Sequence, residues 1–164
     1  MRTTFFPGRK REYAMEPLRP VDATALANLH QDGFARPWSD GEFAALLEQE
    51  PVFGFAAREV GRPKAPPSGF VLARLAAGEA EILMITVARA VRRSGIGWSL
   101  MDAVLRELHA QRAESLFLEV DETNHGAIAL YRRLGFIQVG NRPGYYENPG
   151  AGRSGALVMR RDLR

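Results

Sequence analysis

The spacing of apolar residues divides the chain into segments of two kinds. Some segments repeat apolar residues every three or four positions, as one face of a helix does, and others alternate or run apolar, as strands do. The pattern predicts helices over about residues 22–34, 39–50, 97–112 and 126–134, and strands over about residues 16–19, 52–60, 69–75, 79–88, 115–120, 136–140 and 156–161. Ser39 and Glu42 form a capping box at the start of the second helix, and Pro51 ends it. This order of elements predicts an α/β sandwich with a mixed sheet.

One predicted strand carries a carboxylate among apolar side chains. Residues 116–120 read Leu-Phe-Leu-Glu-Val, so both faces of the strand are apolar, as in a buried parallel strand. A carboxylate in such a strand costs free energy unless it is paired, reaches a solvated cleft or has a function. Glu119 is therefore a candidate general base. The alternative is a glutamate at the exposed end of the strand that is satisfied by a salt bridge.

A glycine turn at residues 92–97 connects a predicted strand to the longest helix. Its sequence is Arg-Arg-Ser-Gly-Ile-Gly. The two glycines permit a tight turn with exposed N–H groups, and the following helix adds the positive end of its dipole. Such a turn binds phosphate, with charge from Arg92 and Arg93; the alternative is an ordinary turn with solvated arginines. The turn lacks the lysine of a P-loop, and Leu100 stands where a dinucleotide fingerprint needs its third glycine.

The distribution of charge narrows the classes of function. The 164 residues carry a formal net charge of +3, which by itself suggests nucleic-acid binding. Residues 1–15, however, contain four basic side chains and one acidic side chain, whereas the rest of the chain contains 18 of each. We therefore expect a flexible basic leader over residues 1–15, a single domain over residues 16–164 and no stable nucleic-acid binding. Met15 directly precedes the domain pattern and is a candidate translation start.

Several other classes of site are excluded by residue content. The chain contains no cysteine, which excludes disulfides, thiolate nucleophiles and cysteine-ligated metals. His30, His109 and His125 show no metal-ligand spacing, so we predict no metal site. The sequence has no run of about 18 apolar residues, and residues 1–15 lack the apolar stretch of a secretory signal. These features predict a cytoplasmic protein that does not bind membranes.

A third motif follows the strand that carries Glu119. Asn124 precedes a short helix in which Ala127, Leu130 and Leu134 form an apolar face that Tyr131 shares. A tyrosine in such a position is by itself most simply interpreted as a packing residue. Its combination with the glutamate and the glycine turn is much more specific than any one of the three motifs.

Together these motifs resemble the GNAT superfamily of acetyl-CoA-dependent N-acetyltransferases, and within it the bacterial RimI-type ribosomal-protein-alanine N-acetyltransferases. The turn at residues 92–97 is similar to the superfamily's Arg/Gln-x-x-Gly-x-Gly/Ala motif. The subfamily pattern is matched by Leu118-Glu119-Val120, Asn124, Ala127–Tyr131, Leu134-Gly135-Phe136, Pro37-Trp38-Ser39 and Tyr145-Tyr146. The resemblance covers residues 16–163, and residues 62–67 and 148–154 do not match the pattern.

The resemblance implies a fold and a co-substrate. The implied fold is a GNAT-like three-layer α/β (α+β) sandwich with a mixed, mostly antiparallel central sheet of six or seven strands flanked by about four helices. The implied co-substrate is acetyl-CoA, without a metal. The residues implied to bind it are Ile85, Thr86, Val87, Arg92, Arg93, Ser94, Gly95, Ile96, Gly97 and Asn124. The turn would hold the pyrophosphate, and a backbone N–H of the strand would polarise the thioester carbonyl.

The resemblance also implies catalytic roles within a direct ternary-complex mechanism. Glu119 would be the general base, directly or through a water, and Tyr131 the general acid that protonates the leaving thiolate. The implied acceptor is the N-terminal α-amine of a protein, the N-terminal alanine of a small-subunit ribosomal protein. Trp38, Tyr145 and Tyr146 are candidates for the walls of the acceptor site, or for core residues.

Two alternatives to this interpretation remain open at the level of the sequence. The same chemistry could act on another amine, such as a different protein N-terminus, a lysine or a small metabolite. A non-catalytic acyl-CoA-binding module is the other alternative, and the presence of both Glu119 and Tyr131 counts against it. The expected partner is a protein substrate, and we expect the enzyme to be a monomer or a weak dimer.

Overall fold

The computed structural model describes residues 10–31, 37–148, 150 and 152–164. Within these residues the chain forms four α-helices and seven β-strands. The helices are α1 (Ala23–His30), α2 (Asp40–Leu47), α3 (Ile96–Ala110) and α4 (His125–Arg133). The strands are β1 (Tyr13–Pro17), β2 (Val52–Glu59), β3 (Gly69–Ala76), β4 (Glu79–Val87), β5 (Ser115–Asp121), β6 (Ile137–Asn148) and β7 (Gly152–Asp162).

The seven strands of the described residues form one sheet, in the order β1-β2-β3-β4-β5-β7-β6. The β4–β5 pair is parallel, and the other five pairs are antiparallel. The predicted sandwich, with a mixed and mostly antiparallel sheet of six or seven strands and about four helices, is therefore confirmed.

Helices cover both faces of the sheet because each has an apolar side to bury. Leu100 and Leu108 of α3 are fully buried against Leu116 of β5, in a core that α4 shares. Phe43 of α2 is fully buried in a second core, beside Phe70 of β3, and α1 joins that core. We call these two sides of the sheet the α3–α4 face and the α1–α2 face.

An aromatic cluster fills the core of the α1–α2 face. The ring of Phe43 packs edge-on against His30 and Phe70, with centroids 5.5 Å and 5.6 Å away. Trp38 joins the cluster, with its centroid 5.5 Å from that of Phe43. Burial lowers the pKa of His30, although the charge of Glu42 acts in the opposite direction. Trp38 therefore has packing partners that account for an aromatic residue at its position.

The two parallel strands pair only where they begin. Glu79–Glu81 of β4 pairs with Ser115–Phe117 of β5, and the register continues no further. Consecutive residues of β3 pair with Ile82 and Met84, so Leu83 is the extra residue of a β-bulge, which bends β4. The strands consequently separate toward their carboxyl ends, and we call the space between them the β4–β5 gap.

The first strand begins earlier than the sequence predicts. β1 covers Tyr13–Pro17 and pairs with β2, whereas the predicted strand covers residues 16–19. Residues 13–15, which are predicted to be part of the leader, thus belong to the sheet. Tyr13 and Met15 pack on the core of the α3–α4 face while Ala14 is exposed, so a short alternating pattern was present but was obscured by the adjoining basic residues.

The last two strands are longer than predicted, at Ile137–Asn148 and Gly152–Asp162 rather than 136–140 and 156–161. β6 lies at the edge of the sheet, most of its residues are exposed, and its register shifts twice. Its side chains therefore lack the alternation by which strands are recognised, and Pro143 is compatible with an edge strand. The first helix was predicted to reach about residue 34; α1 ends at His30, and residue 34 lies outside the described residues.

Candidate active site

The backbone of β4 lines one side of the β4–β5 gap. The N–H of Ala88 donates to the carbonyl of Ser68 at 2.8 Å, and backbone groups in antiparallel strands alternately face the partner strand and face away from it. The backbone of Thr86 therefore faces β3, whereas the backbones of Ile85 and Val87 face the gap. Of the three strand residues predicted to bind acetyl-CoA, two present N–H and carbonyl groups to the gap.

Glu119 lies in β5 on the other side of the gap. Its neighbours Leu118 and Val120 are buried in the core of the α3–α4 face, and successive side chains of a strand point to opposite faces. Glu119 therefore projects on the α1–α2 face. Its side chain is 29% exposed, and its Oε1 lies 3.1 Å from Nη2 of Arg142. The salt bridge that the sequence left as an alternative is present, and the side chain of its partner, Arg142, is 57% exposed.

Tyr131 lies in α4, on the opposite face from Glu119. It is 5% exposed in the core of the α3–α4 face, and its ring packs edge-on against Phe136 with centroids 5.9 Å apart. Burial, with a smaller contribution from Tyr146, raises the pKa of Tyr131 to about 12. The phenol therefore retains its proton at neutral pH.

Tyr146 of β6 is a partly buried tyrosine whose pKa depends on charges near the site. Burial raises the pKa of Tyr146 to about 12, with further contributions from the charges of Glu119 and Asp121 and an opposing one from Arg142. Tyr146 also contributes to the raised pKa of Tyr131, so it interacts electrostatically with both candidate catalytic residues.

Tyr145 and Tyr146 form an aromatic pair beside Glu119. Their rings are edge-on with centroids 5.0 Å apart, and Cζ of Arg142 lies 5.3 Å from the centroid of the exposed Tyr145 ring. Arg142 thus contacts both the Glu119 carboxylate and an aromatic face. The structure brings the two predicted tyrosines to the site, whereas Trp38 lies in the aromatic cluster, and contact of any of the three with an acceptor stays a prediction.

The turn at residues 92–97 leads from β4 into α3. Gly95 is the N-cap of α3 with φ of +85°, and a Cβ built there would meet no atom within 4 Å. Arg93 has φ of +62°, and Nε of Arg92 donates to the carbonyl of Val87 at 3.3 Å, which ties the turn to the end of β4. The open space at Gly95 and the N–H groups of the first turn of α3 suit an anion.

The other residues of the turn also have roles in the fold. The hydroxyl of Ser94 donates to the carbonyl of Val91. Ile96 is 3% exposed in the core, so only its backbone is available to a ligand. A Cβ at Gly97 would lie 3.3 Å from Cδ2 of Leu130, so this glycine lets α3 approach α4 closely.

Asn124 caps the helix that carries Tyr131. Its Oδ1 accepts a hydrogen bond from the N–H of Ala127 at 3.2 Å, as an N-cap residue does. This contact explains an asparagine at the position, and leaves its side-chain amide nitrogen for a ligand. Binding of acetyl-CoA by Asn124 and by the residues of the turn stays a prediction.

A hydrogen-bond network that the sequence did not indicate holds β6 and β7 beside β5. The hydroxyl of Ser154 donates to Asp121 at 2.8 Å and accepts from Nδ2 of Asn148 at 2.9 Å. Burial acts to raise the pKa of Asp121, but hydrogen bonds from Thr123 and Ser154 hold it below its usual value. Arg142 was missed as well, because β6 was not predicted to extend that far.

Within the described part of the chain, no three His, Cys, Asp or Glu side chains group together as they would to hold a metal ion. None of its helices is long and apolar enough to span a membrane.

Comparisons with a protein family, with relatives in sequence and with solved structures all point to the same family. The chain matches the acetyltransferase (GNAT) family over residues 23–136. It is 32% identical over 142 residues to the ribosomal protein bS18-alanine N-acetyltransferase of Escherichia coli (strain K12). The aligned region covers 87% of this chain and 92% of the relative. The crystal structure of the ribosomal-protein-S18-alanine N-acetyltransferase from Escherichia coli is similar with a TM-score of 0.84 and 29% identity, over 93% of this chain and 94% of that one. Arabidopsis thaliana NAA60 in complex with acetyl-CoA shares the fold, with a TM-score of 0.81 and 21% identity over 92% of this chain and 98% of that one. As its motifs predict, the chain belongs to the GNAT family and is an N-acetyltransferase.

Proposed function

We propose that this enzyme transfers the acetyl group of acetyl-CoA to the N-terminal α-amine of a protein, specifically the N-terminal alanine of the small-subunit ribosomal protein bS18. The observation that carries the proposal is that Glu119 projects on the α1–α2 face from the strand beside the β4–β5 gap, while Tyr131 is buried on the α3–α4 face. The similarity to the bS18-alanine N-acetyltransferase of Escherichia coli supports the choice of acceptor. The place of the reaction would be the cytoplasm.

The residues around the gap fit acetyl-CoA. The space at Gly95 and the N–H groups of the first turn of α3 suit a pyrophosphate, and the exposed Arg92 and Arg93 add positive charge. The backbone groups of Ile85 and Val87 that face the gap would pair with the amides of the pantetheine arm. When bound, acetyl-CoA supplies an acyl group activated as a thioester.

Glu119 would act on the acceptor amine. An α-amine reacts only as the free base, and its pKa of about 7.7–8.0 leaves much of it protonated at neutral pH. Glu119 would take the proton as the C–N bond forms, directly or through a water. Because Arg142 contacts the same carboxylate in the structure, the acceptor amine would replace the guanidinium when it binds.

Tyr131 would act on the leaving group. A thiol leaves more readily than a thiolate, so a proton donated to sulfur assists cleavage of the C–S bond. The pKa of about 12 keeps the Tyr131 phenol protonated over the range in which the amine is reactive. The protons balance: the amine gives one to Glu119, Tyr131 gives one to sulfur, and a transfer through solvent from Glu119 to Tyr131 restores both groups.

A panel of acceptors tests the proposal. Release of free CoA thiol is measured with peptides from the N-termini of the host's ribosomal proteins, each with a free and a blocked N-terminus, and with small amines. We expect the fastest turnover on the free bS18 N-terminus and none on its blocked form. Faster turnover on a small amine, or on a lysine of a blocked peptide, would assign a different acceptor. Binding of acetyl-CoA without thiol release from any acceptor would indicate a non-catalytic module.

The glycine turn can be tested with a matched pair of variants. Gly95→Ala is expected to weaken acetyl-CoA binding about tenfold, the effect of one lost charge-assisted hydrogen bond, because the new Cβ enters the space for the pyrophosphate. Gly61→Ala is the control: Gly61 has φ of +84° and equally open surroundings, but it lies between β2 and β3. Both variants should lose about 1–2 kcal/mol of stability through backbone strain. Calorimetric titration that shows equal weakening in both would contradict a specific role of the turn.

A further inference from the structure

Thr86 of β4 has a buried hydroxyl without a hydrogen-bond partner. Its Oγ1 exposes less than 1 Å² and has no partner in the described part of the chain. Leaving a buried donor or acceptor unsatisfied lowers the stability of the fold, and folded proteins rarely leave such groups unpaired. A β-branched residue suits the strand, but valine would supply the same shape without this cost. The hydroxyl therefore indicates a partner that binds from outside the chain.

The position of Thr86 shows which face of the sheet that partner approaches. Thr86 pairs with Phe70 of β3, whose ring is buried on the α1–α2 face, and paired residues of neighbouring strands project on the same face. The adjacent Ile85 and Val87 pack on the core of the α3–α4 face, as alternation requires. Glu119 projects on the α1–α2 face from β5. The Thr86 hydroxyl and the Glu119 carboxylate thus project on the same face of the sheet, from the two strands that flank the β4–β5 gap.

The two substrates reach the gap from different sides. The turn that suits a pyrophosphate stands at the start of α3, so acetyl-CoA would occupy the α3–α4 face and the gap itself. The acceptor amine must reach Glu119 and therefore enters from the α1–α2 face. Thr86 lies on the side of the acceptor.

We infer that the Thr86 hydroxyl binds the amino-terminal residue of the acceptor and orients its amine beside Glu119; this inference rests on the proposed function. A threonine hydroxyl both donates and accepts hydrogen bonds. It can accept a hydrogen bond from an N–H of the α-amine while it donates one to the first peptide carbonyl of the acceptor. With one N–H directed to Glu119 and another to Thr86, the amine lone pair is left to face the thioester.

Thr86→Val tests the inference because it removes the hydroxyl and keeps the shape of the side chain. The KM for the preferred acceptor is expected to rise about three- to tenfold, the effect of one neutral hydrogen bond. The affinity for acetyl-CoA should stay within about twofold, since the side chain faces away from its binding side. The Tm should be unchanged or higher, because the variant removes an unsatisfied buried group. Thr86→Ser, which retains a hydroxyl, should restore most of the KM.

Two other outcomes contradict the inference, and a third separates it from the proposed function. Weaker binding of acetyl-CoA with an unchanged acceptor KM would assign the hydroxyl to the co-substrate. A lower Tm with an unchanged KM would make Thr86 a residue of the fold alone. If the wild-type enzyme acetylates no N-terminal peptide, the proposed function fails, and the KM of Thr86→Val for the amine that is acetylated still decides the role of Thr86.

Discussion

Glu119→Gln is expected to lower the turnover number about a hundredfold to ten-thousandfold, the range that a positioned general base contributes. Glutamine has nearly the shape of glutamate but cannot take a proton from the acceptor amine. The affinity for acetyl-CoA should stay within a few-fold, because Glu119 projects on the face opposite α3 and the turn at residues 92–97. Thiol release at saturating substrates measures the turnover number, and calorimetric titration measures the affinity. An unchanged turnover number would remove Glu119 from the role of base.

The ion pair between Glu119 and Arg142 requires its own control, because Glu119→Gln also breaks it. Arg142→Gln breaks the same pair and leaves the carboxylate in place, so its loss of turnover should be far smaller. Glu147→Gln is a second control: Glu147 of β6 pairs with Arg153 of β7 at 3.0 Å, and both side chains are exposed. Exposed pairs contribute about 0–1 kcal/mol, so all three variants should fold. An equal loss of turnover in Glu119→Gln and Arg142→Gln would assign the effect to the ion pair.

Glu119 could be singled out as a candidate from its local context, whereas the role of Tyr131 is implied by the resemblance to the GNAT superfamily. Glu119 is an ionisable residue in an apolar strand, and Tyr131 shares the apolar face of a short helix whose cap is Asn124. The helical pattern places Tyr131 on the apolar side of α4. Both faces of the strand are apolar, so the core contacts of Leu118 and Val120 decide the face on which Glu119 projects. Arg142 could not be predicted in this way, because β6 is an exposed edge strand with two register shifts.

The shape of the β4–β5 gap also could not be predicted from the sequence. Residues 82–87 read Ile-Leu-Met-Ile-Thr-Val, an apolar run without alternation. The bulge at Leu83 is set by pairing with β3, and it determines which backbone groups face the gap and on which side Thr86 projects. The bulge and the direction of the Thr86 side chain therefore depend on how β4 pairs with β3, which the residues of β4 alone do not reveal.

Tyr131→Phe is expected to lower the turnover number about a hundredfold or more, the contribution of a general acid, without weakening acetyl-CoA binding more than a few-fold. Phenylalanine keeps the ring that packs against Phe136 and the core of the α3–α4 face. Within the described residues the Tyr131 hydroxyl has no hydrogen-bond partner to lose. Tyr13→Phe, on a half-buried tyrosine of β1, controls for removal of a hydroxyl elsewhere.

The pH dependence of stability reports the buried, protonated state of Tyr131, and the activity of a folded variant decides between a catalytic role and a packing role. Burial raises its pKa from 10 to about 12, so the folded protein binds this proton more tightly than the unfolded chain does. The associated stabilisation is complete below about pH 10 and is lost as the pH rises through about 12. Tyr131→Phe removes this term, so the variant should lose less stability than the wild-type protein on alkaline titration while its Tm at neutral pH is unchanged. A variant that is inactive because it unfolds at neutral pH would make Tyr131 a packing residue, and full activity in a folded variant would place the proton donor elsewhere.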